Sequence, residues 1–185
     1  MHVSFANLQN SHVEFSCIDF NRHNVPLLTW DCDVAASAQA WADRGVFEHS
    51  NSYDIPPPAG PAGENLGMGQ SSGTQVTDNW YSEISNWAWS PGDGSGNSGT
   101  TGHFTALVWK GVKKLGCGFY PPTRIWVCRY KSDDTLNDNS ANMAGIEYRF
   151  PSFVTYDDAG SGAYKANVLP VTKPAGTCAV VAAAS

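Results

Sequence analysis

Apolar residues recur at helical spacing in four stretches of the chain. Residues 5–22 carry Phe5, Leu8, Phe15 and Ile18 and predict a first helix, which Pro26 cannot continue. Residues 32–44 form the clearest pattern. Val34, Ala35, Ala38, Trp41 and Ala42 share one face, Asp31 is placed to cap the start, and Gly45 suits the stop. Residues 74–87 put Val76, Trp80, Ile84 and Trp87 in one stripe. Residues 101–111 read as a short helix that is apolar on most sides, through Phe104, Ala106, Leu107, Val108 and Trp109. Thr101 would cap it through its hydroxyl and Gly111 would end it in a left-handed turn.

Alternation replaces helical spacing further on. Lys114–Tyr120 and Ile125–Tyr130 predict two strands of a hairpin across Pro121 and Pro122, and residues 146–150 predict an edge strand. The proline-rich residues 51–62, the Gly/Ser/Asn residues 90–99, and the polar stretches 131–142 and 157–162 read as loops. Gly63-Glu64-Asn65-Leu66-Gly67-Met68-Gly69 is too glycine-rich for a helix and lacks the Gly-Lys-Ser/Thr ending of a phosphate loop. Residues 1–170 form one domain and 171–185 a Pro/Ala-rich tail.

Two residues do not fit these patterns. His103 lies in the first turn of a buried helix, where the helix end disfavours a protonated imidazole and favours a neutral one. Glu83 falls inside the apolar stripe of residues 74–87, and an inward carboxylate is expensive without a partner. Taken alone, each fits a hydrogen-bonded core residue.

Composition narrows the possible partners. Charged residues are only 15% of the 185, and 18 Gly and 11 Pro point to a loop-rich surface. The 7 Trp place large rings in the core. A net charge of −6 argues against a nucleic-acid partner and against an acidic membrane face. No window is long and apolar enough for a membrane span.

Cysteines speak to the compartment. A hairpin at Pro121-Pro122 brings Cys117 and Cys128 near each other across the ladder, which suits a disulfide, the alternative being two buried thiols. With Cys17, Cys32 and Cys178 the count is odd, so at least one cysteine is free or bonded to another molecule. Residues 1–7 do not read as a signal peptide. The disulfide favours a secreted chain whose leader is not part of this sequence over an intracellular one.

Several motifs resemble one superfamily. Gly102-His103-Phe104-Thr105-Ala106-Leu107-Val108-Trp109 is similar to the first signature of the CAP (SCP-like) proteins. These are the cysteine-rich secretory proteins, antigen 5 and the pathogenesis-related 1 proteins. Val127-Cys128-Arg129-Tyr130 resembles the start of their second signature, Gly63-Glu64-Asn65-Leu66 their G-E-N-[LIV], and Pro26 to Trp41 their P-x-L-T-W-D segment. Trp80-Tyr81-Ser82-Glu83-Ile84 and Asn167-Val168-Leu169-Pro170 are especially similar to the Golgi-associated branch. The family's H-N-x-x-R is absent from residues 16–20, where it should fall, and His23-Asn24 lies in the following turn. The second signature runs into a polar insertion, where Asn142 stands as the displaced asparagine.

The resemblance implies an α+β fold, a three-layer α-β-α sandwich with a central, mostly antiparallel sheet and an open cleft. It implies that His49, Glu64, Glu83 and His103 point into that cleft. Two imidazoles with adjacent carboxylates suit a divalent ion. Zinc is the expected one, since calcium or magnesium would want more oxygens. The resemblance also implies a sterol or fatty-acid site, with Trp87 and Trp89 as the first two rings of an aromatic loop motif whose third position is Gly94. The alternative is a core Trp87 with Trp89 covering a neighbour.

The expected function is a secreted, non-catalytic binding or defence-related module, with an extracellular protein as a further possible partner class. The alternative is a metal-dependent hydrolase using Glu64, Glu83 and His103 as catalytic groups, although no Ser or Cys nucleophile motif accompanies them. A third reading treats the four residues as a structural network.

Overall fold

A computed structural model describes residues 22–89, 100–132 and 167–173. The first predicted helix, the loop at 90–99, the predicted strand at 146–150, Asn142, Cys17, Cys178 and most of the tail lie outside the described residues.

Within them the order is β1 (Thr29–Trp30), α1 (Cys32–Ala42), a 3-10 turn (Ser52–Asp54), β2 (Gly63–Met68), α2 (Gly73–Ser82), a second 3-10 turn (Glu83–Asn86), α3 (Gly102–Leu107), β3 (Lys114–Tyr120) and β4 (Ile125–Lys131). Four described strands form one sheet in the order β1-β3-β4-β2. The two-residue β1 runs parallel to β3, and the other pairings are antiparallel. The expected mostly antiparallel sheet is therefore present.

Helices cover both faces. On one, Ala38 and Ala42 of α1 pack on Leu66, Ile125 and Val127. The small side chains let α1 lie directly on β3. A Cβ at Gly116 would sit 2.2 Å from the backbone nitrogen of Ala35, and one at Gly118 2.4 Å from Cα of Gln39. Asp31 caps α1 through bonds from the backbone nitrogens of Asp33 and Val34. Gly45 turns the chain away at φ +67, as its position predicted.

On the other face, Val76 and Trp80 of α2 and Phe104, Ala106 and Leu107 of α3 pack on Leu115, Cys117, Trp126, Cys128 and Tyr130. The alternation within β4 sorts these two sets, with Ile125 and Val127 on one side and Trp126, Cys128 and Tyr130 on the other. Cys117 and Cys128 are direct cross-strand partners, 4.1 Å apart at Cα, and are bonded as a disulfide. Cys32 is an exposed free thiol.

Three expectations need correction. Thr101 makes no capping bond to α3, and Gly111 does not adopt positive φ, because α3 already ends at Leu107. The helix predicted to run to Trp87 stops at Ser82 and tightens into a 3-10 turn. Ser82 and Ser85 hydroxyls bond carbonyls three residues back, competing with the regular helical ladder. The glycine-rich residues 63–68 form a strand. Gly67 lies under Val76, whose Cγ2 would be 2.2 Å from an added Cβ.

The C-terminal segment is tied to the start of the described chain. Leu169 accepts a bond from Nδ1 of His23, and Arg22 accepts bonds from the backbone nitrogens of Thr172 (2.8 Å) and Lys173 (3.3 Å). Thr172 and Lys173 are exposed and held by these backbone bonds.

Candidate functional site: two imidazole–carboxylate pairs

His49 sits in an irregular segment held by the end of α1. The Trp41 indole donates to the Glu48 carbonyl (2.7 Å), and the Arg44 guanidinium covers the Trp41 ring at 3.8 Å. From there His49 places Nδ1 3.0 Å from Oε1 of Glu64, on β2. The backbone nitrogen of Ser50 donates to the same oxygen (2.8 Å), and its hydroxyl donates to Oε2. Behind the carboxylate lies Arg129 of β4. Its Nε donates to Oε2 (3.1 Å) and its Nη2 to the Ser50 hydroxyl (2.9 Å). The Arg129 and Glu64 side chains are 2% and 3% exposed, so this ion pair is shut off from water. Burial raises the Glu64 pKa, but the bonds from His49 and Ser50 and the charge of Arg129 outweigh it and hold the carboxyl below its ordinary value. Burial also lowers the Arg129 pKa, against the pull of Glu64.

His103 sits in the first turn of α3, 2.6 Å through Nδ1 from Oε1 of Glu83. Glu83 Oε2 accepts from the backbone nitrogens of His103 (2.9 Å) and Phe104 (3.2 Å). The carboxylate therefore fills the capping role expected of Thr101, and it does so from another element. Trp80 stacks on the imidazole, with centroids 6.0 Å apart. Glu83 is the partnered inward carboxylate that the stripe of residues 74–87 required.

The structure thus brings the four predicted residues into two pairs. Glu64 and Asn65, neighbours on β2, connect them. Glu64 faces the α1 side with Arg129, while the Asn65 amide donates to the His103 carbonyl (3.1 Å) and to the Tyr130 hydroxyl (3.2 Å) on the other. In each pair Nδ1 meets a carboxylate oxygen, so the ring proton belongs on Nδ1 and the Nε2 lone pair is left over. Neither Nε2 has a hydrogen-bond partner among the described residues. The His49 and His103 side chains are 49% and 31% exposed. Among the described residues no three His, Cys, Asp or Glu side chains gather into a metal-holding group. What the pairs offer is two oriented imidazole nitrogens.

Trp87 is buried at 6% and Trp89 is 38% exposed, their rings meeting edge to face at 6.3 Å. Trp89 also lies over His23 and Phe104. Sequence reasoning missed Ser50, Asn65, Arg129 and His23. Arg129 carried a usable signal: it is a charge at the same parity as Ile125 and Val127 in an apolar strand. His23 is fully buried between Leu169, Tyr81, Trp89 and Phe104. No local spacing announces this.

The profile of the cysteine-rich secretory protein family, CAP, matches residues 21–130. The chain is 40% identical over 98 residues to secreted protein RBT4 of Candida albicans, covering 53% of this chain and 26% of that protein. It is 39% identical over 104 residues to human Golgi-associated plant pathogenesis-related protein 1, covering 52% of this chain and 62% of that protein. The chain thus spans less than two thirds of either relative. The solved structure of BmVAL-1 shares the fold, with a TM-score of 0.53 at 24% identity, covering 69% of this chain and 76% of that one. No helix among the described residues is long and apolar enough to cross a membrane. The sandwich, the motifs of α3, β2 and β4, and the family match agree: the chain belongs to the cysteine-rich secretory protein family of the CAP superfamily.

Proposed function

We propose that this chain is an extracellular, non-catalytic binding module that holds a divalent cation, zinc, through Nε2 of His49 and Nε2 of His103. One observation carries the reading: each imidazole is fixed at Nδ1 by its own carboxylate, the arrangement that orients a metal-ligating histidine and raises its basicity. Two nitrogens leave further positions for water or a ligand. The hydrolase reading is weaker on the same geometry. Glu64 accepts four hydrogen bonds and Glu83 three, so neither carboxylate is free to serve as a general base.

Secretion is supported by the cross-strand disulfide and by a relative that is itself named a secreted protein. A lipid or sterol would use the exposed Trp89 rather than the buried Trp87. Zinc titration calorimetry on the wild type and on His49→Ala/His103→Ala tests the metal reading. The wild type is expected to show a binding event that the double variant loses. A wild type that gives no binding heat, with folding verified, ends it. Mass spectrometry of lipid copurifying with wild type and Trp89→Ala tests the second site.

A further inference from the structure

The geometry points to Arg129 as the positioning residue of the first pair: it clamps the Glu64 carboxylate so that His49 keeps its proton on Nδ1 and presents an unprotonated Nε2 to solvent. Arg129 is a buried cation on a strand whose same-side residues toward the hairpin turn, Ile125 and Val127, are apolar core, while Lys131 beyond it is buried with its Nζ donating to the Pro58 carbonyl. A buried ion pair does little for stability against apolar replacements of the same shape, so its presence asks for another reason.

The contacts supply one. Arg129 reaches Oε2 directly and reaches the Ser50 hydroxyl, which itself bonds Oε2. With Oε2 held from two sides, the plane of the carboxylate is fixed. Oε1 is left facing Nδ1 of His49 and the Ser50 backbone nitrogen. Planarity and a fork of donors suit arginine to this task better than lysine. His49 itself is half exposed, and a solvated imidazole prefers its proton on Nε2, the atom a cation would need unprotonated. The Glu64 acceptor reverses that preference only while it stays aimed at Nδ1. His103 needs no such clamp, because two backbone N–H groups hold its carboxylate.

The inference rests on the metal reading only for what Nε2 would bind, and it is tested first without metal. Ring-nitrogen NMR of the wild type, at a pH above the imidazole titration range, is expected to show His49 with its proton on Nδ1. Arg129→Met is expected to move the His49 proton to Nε2 and leave His103 unchanged. Arg129→Lys should fall between the two. A folded Arg129→Met in which His49 still carries its proton on Nδ1 overturns the proposal, since a purely structural ion pair would lower stability without touching the tautomer. If Arg129→Met does not fold, Arg129→Lys carries the test. It keeps a cation for Glu64 and loses the fork that fixes the carboxylate plane, a partial shift is expected, and an unchanged tautomer overturns the proposal. Zinc titration then separates the two readings. With a tautomer that depends on Arg129, zinc affinity is expected to weaken by about 10–100-fold in the shifted variant, the usual loss when a histidine ligand loses its outer partner. Absence of zinc binding in the wild type would discard the metal and leave the positioning role standing.

Discussion

The two imidazole–carboxylate pairs show the same contact built by different means. Glu64 is a strand residue anchored by a buried guanidinium, with a side chain 3% exposed. Glu83 belongs to a 3-10 turn, is 14% exposed, and is anchored by the first backbone amides of α3. Glu64 is cut off from water more completely, and a full charge from Arg129 joins the Ser50 and His49 donors in offsetting its lost hydration. Amide dipoles suffice for Glu83, which keeps some water. The first pair therefore depends on one distant side chain, and the second on the helix that carries its own histidine.

That contrast predicts unequal responses to the same substitution. Glu64→Gln leaves Arg129 buried without a counter-charge and turns an amide donor toward guanidinium donors. It is expected to cost about 3–5 kcal/mol, the usual size for breaking a buried pair. Glu83→Gln keeps one acceptor for the α3 amides and is expected to cost about 1 kcal/mol, in the range of a weakened cap. Denaturant unfolding of both variants checks the order. A Glu83→Gln as damaging as Glu64→Gln would show that the two pairs are anchored alike.

Acid should break the comparison more gently and in two windows. Burial holds the His23 pKa below its ordinary value, so the unfolded chain binds a proton that the folded chain refuses. Stability is expected to fall as pH drops below the ordinary imidazole pKa and to level off below the folded one. The folded pKa of Glu64 is also depressed, so its contribution is complete above the ordinary carboxylate range and is lost as pH falls through the folded value. Unfolding free energy followed against pH is expected to show both declines, and His23→Asn is expected to remove the first. A first decline that survives in His23→Asn belongs to another group.

The four paired residues were legible for different reasons. Glu83 stood out as a charge in the stripe with Val76 and Trp80, and a buried carboxylate without a partner is too costly to leave unexplained. His103 stood out at a helix start. His49 and Glu64 had no such local signal and came from resemblance alone. The β3–β4 hairpin was legible almost residue by residue, because the disulfide partners and the proline turn punctuate an alternating pattern. β2 was obscured by its glycines, and Gly67 is there for the close approach of Val76 rather than for any local preference.

The amino-acid order by itself determined the periodic elements, the hairpin with its disulfide, and the two misplaced polar residues, Glu83 and His103, since these follow from spacing within about a dozen residues. Tertiary structure alone decided what the buried polar groups meet. Glu83 caps a helix 20 residues away, Arg129 lies 65 residues from the carboxylate it holds, and His23 is buried against a carbonyl 146 residues away. A polar group leaves water only where the whole fold closes over it, and its partner is whatever the fold brings there.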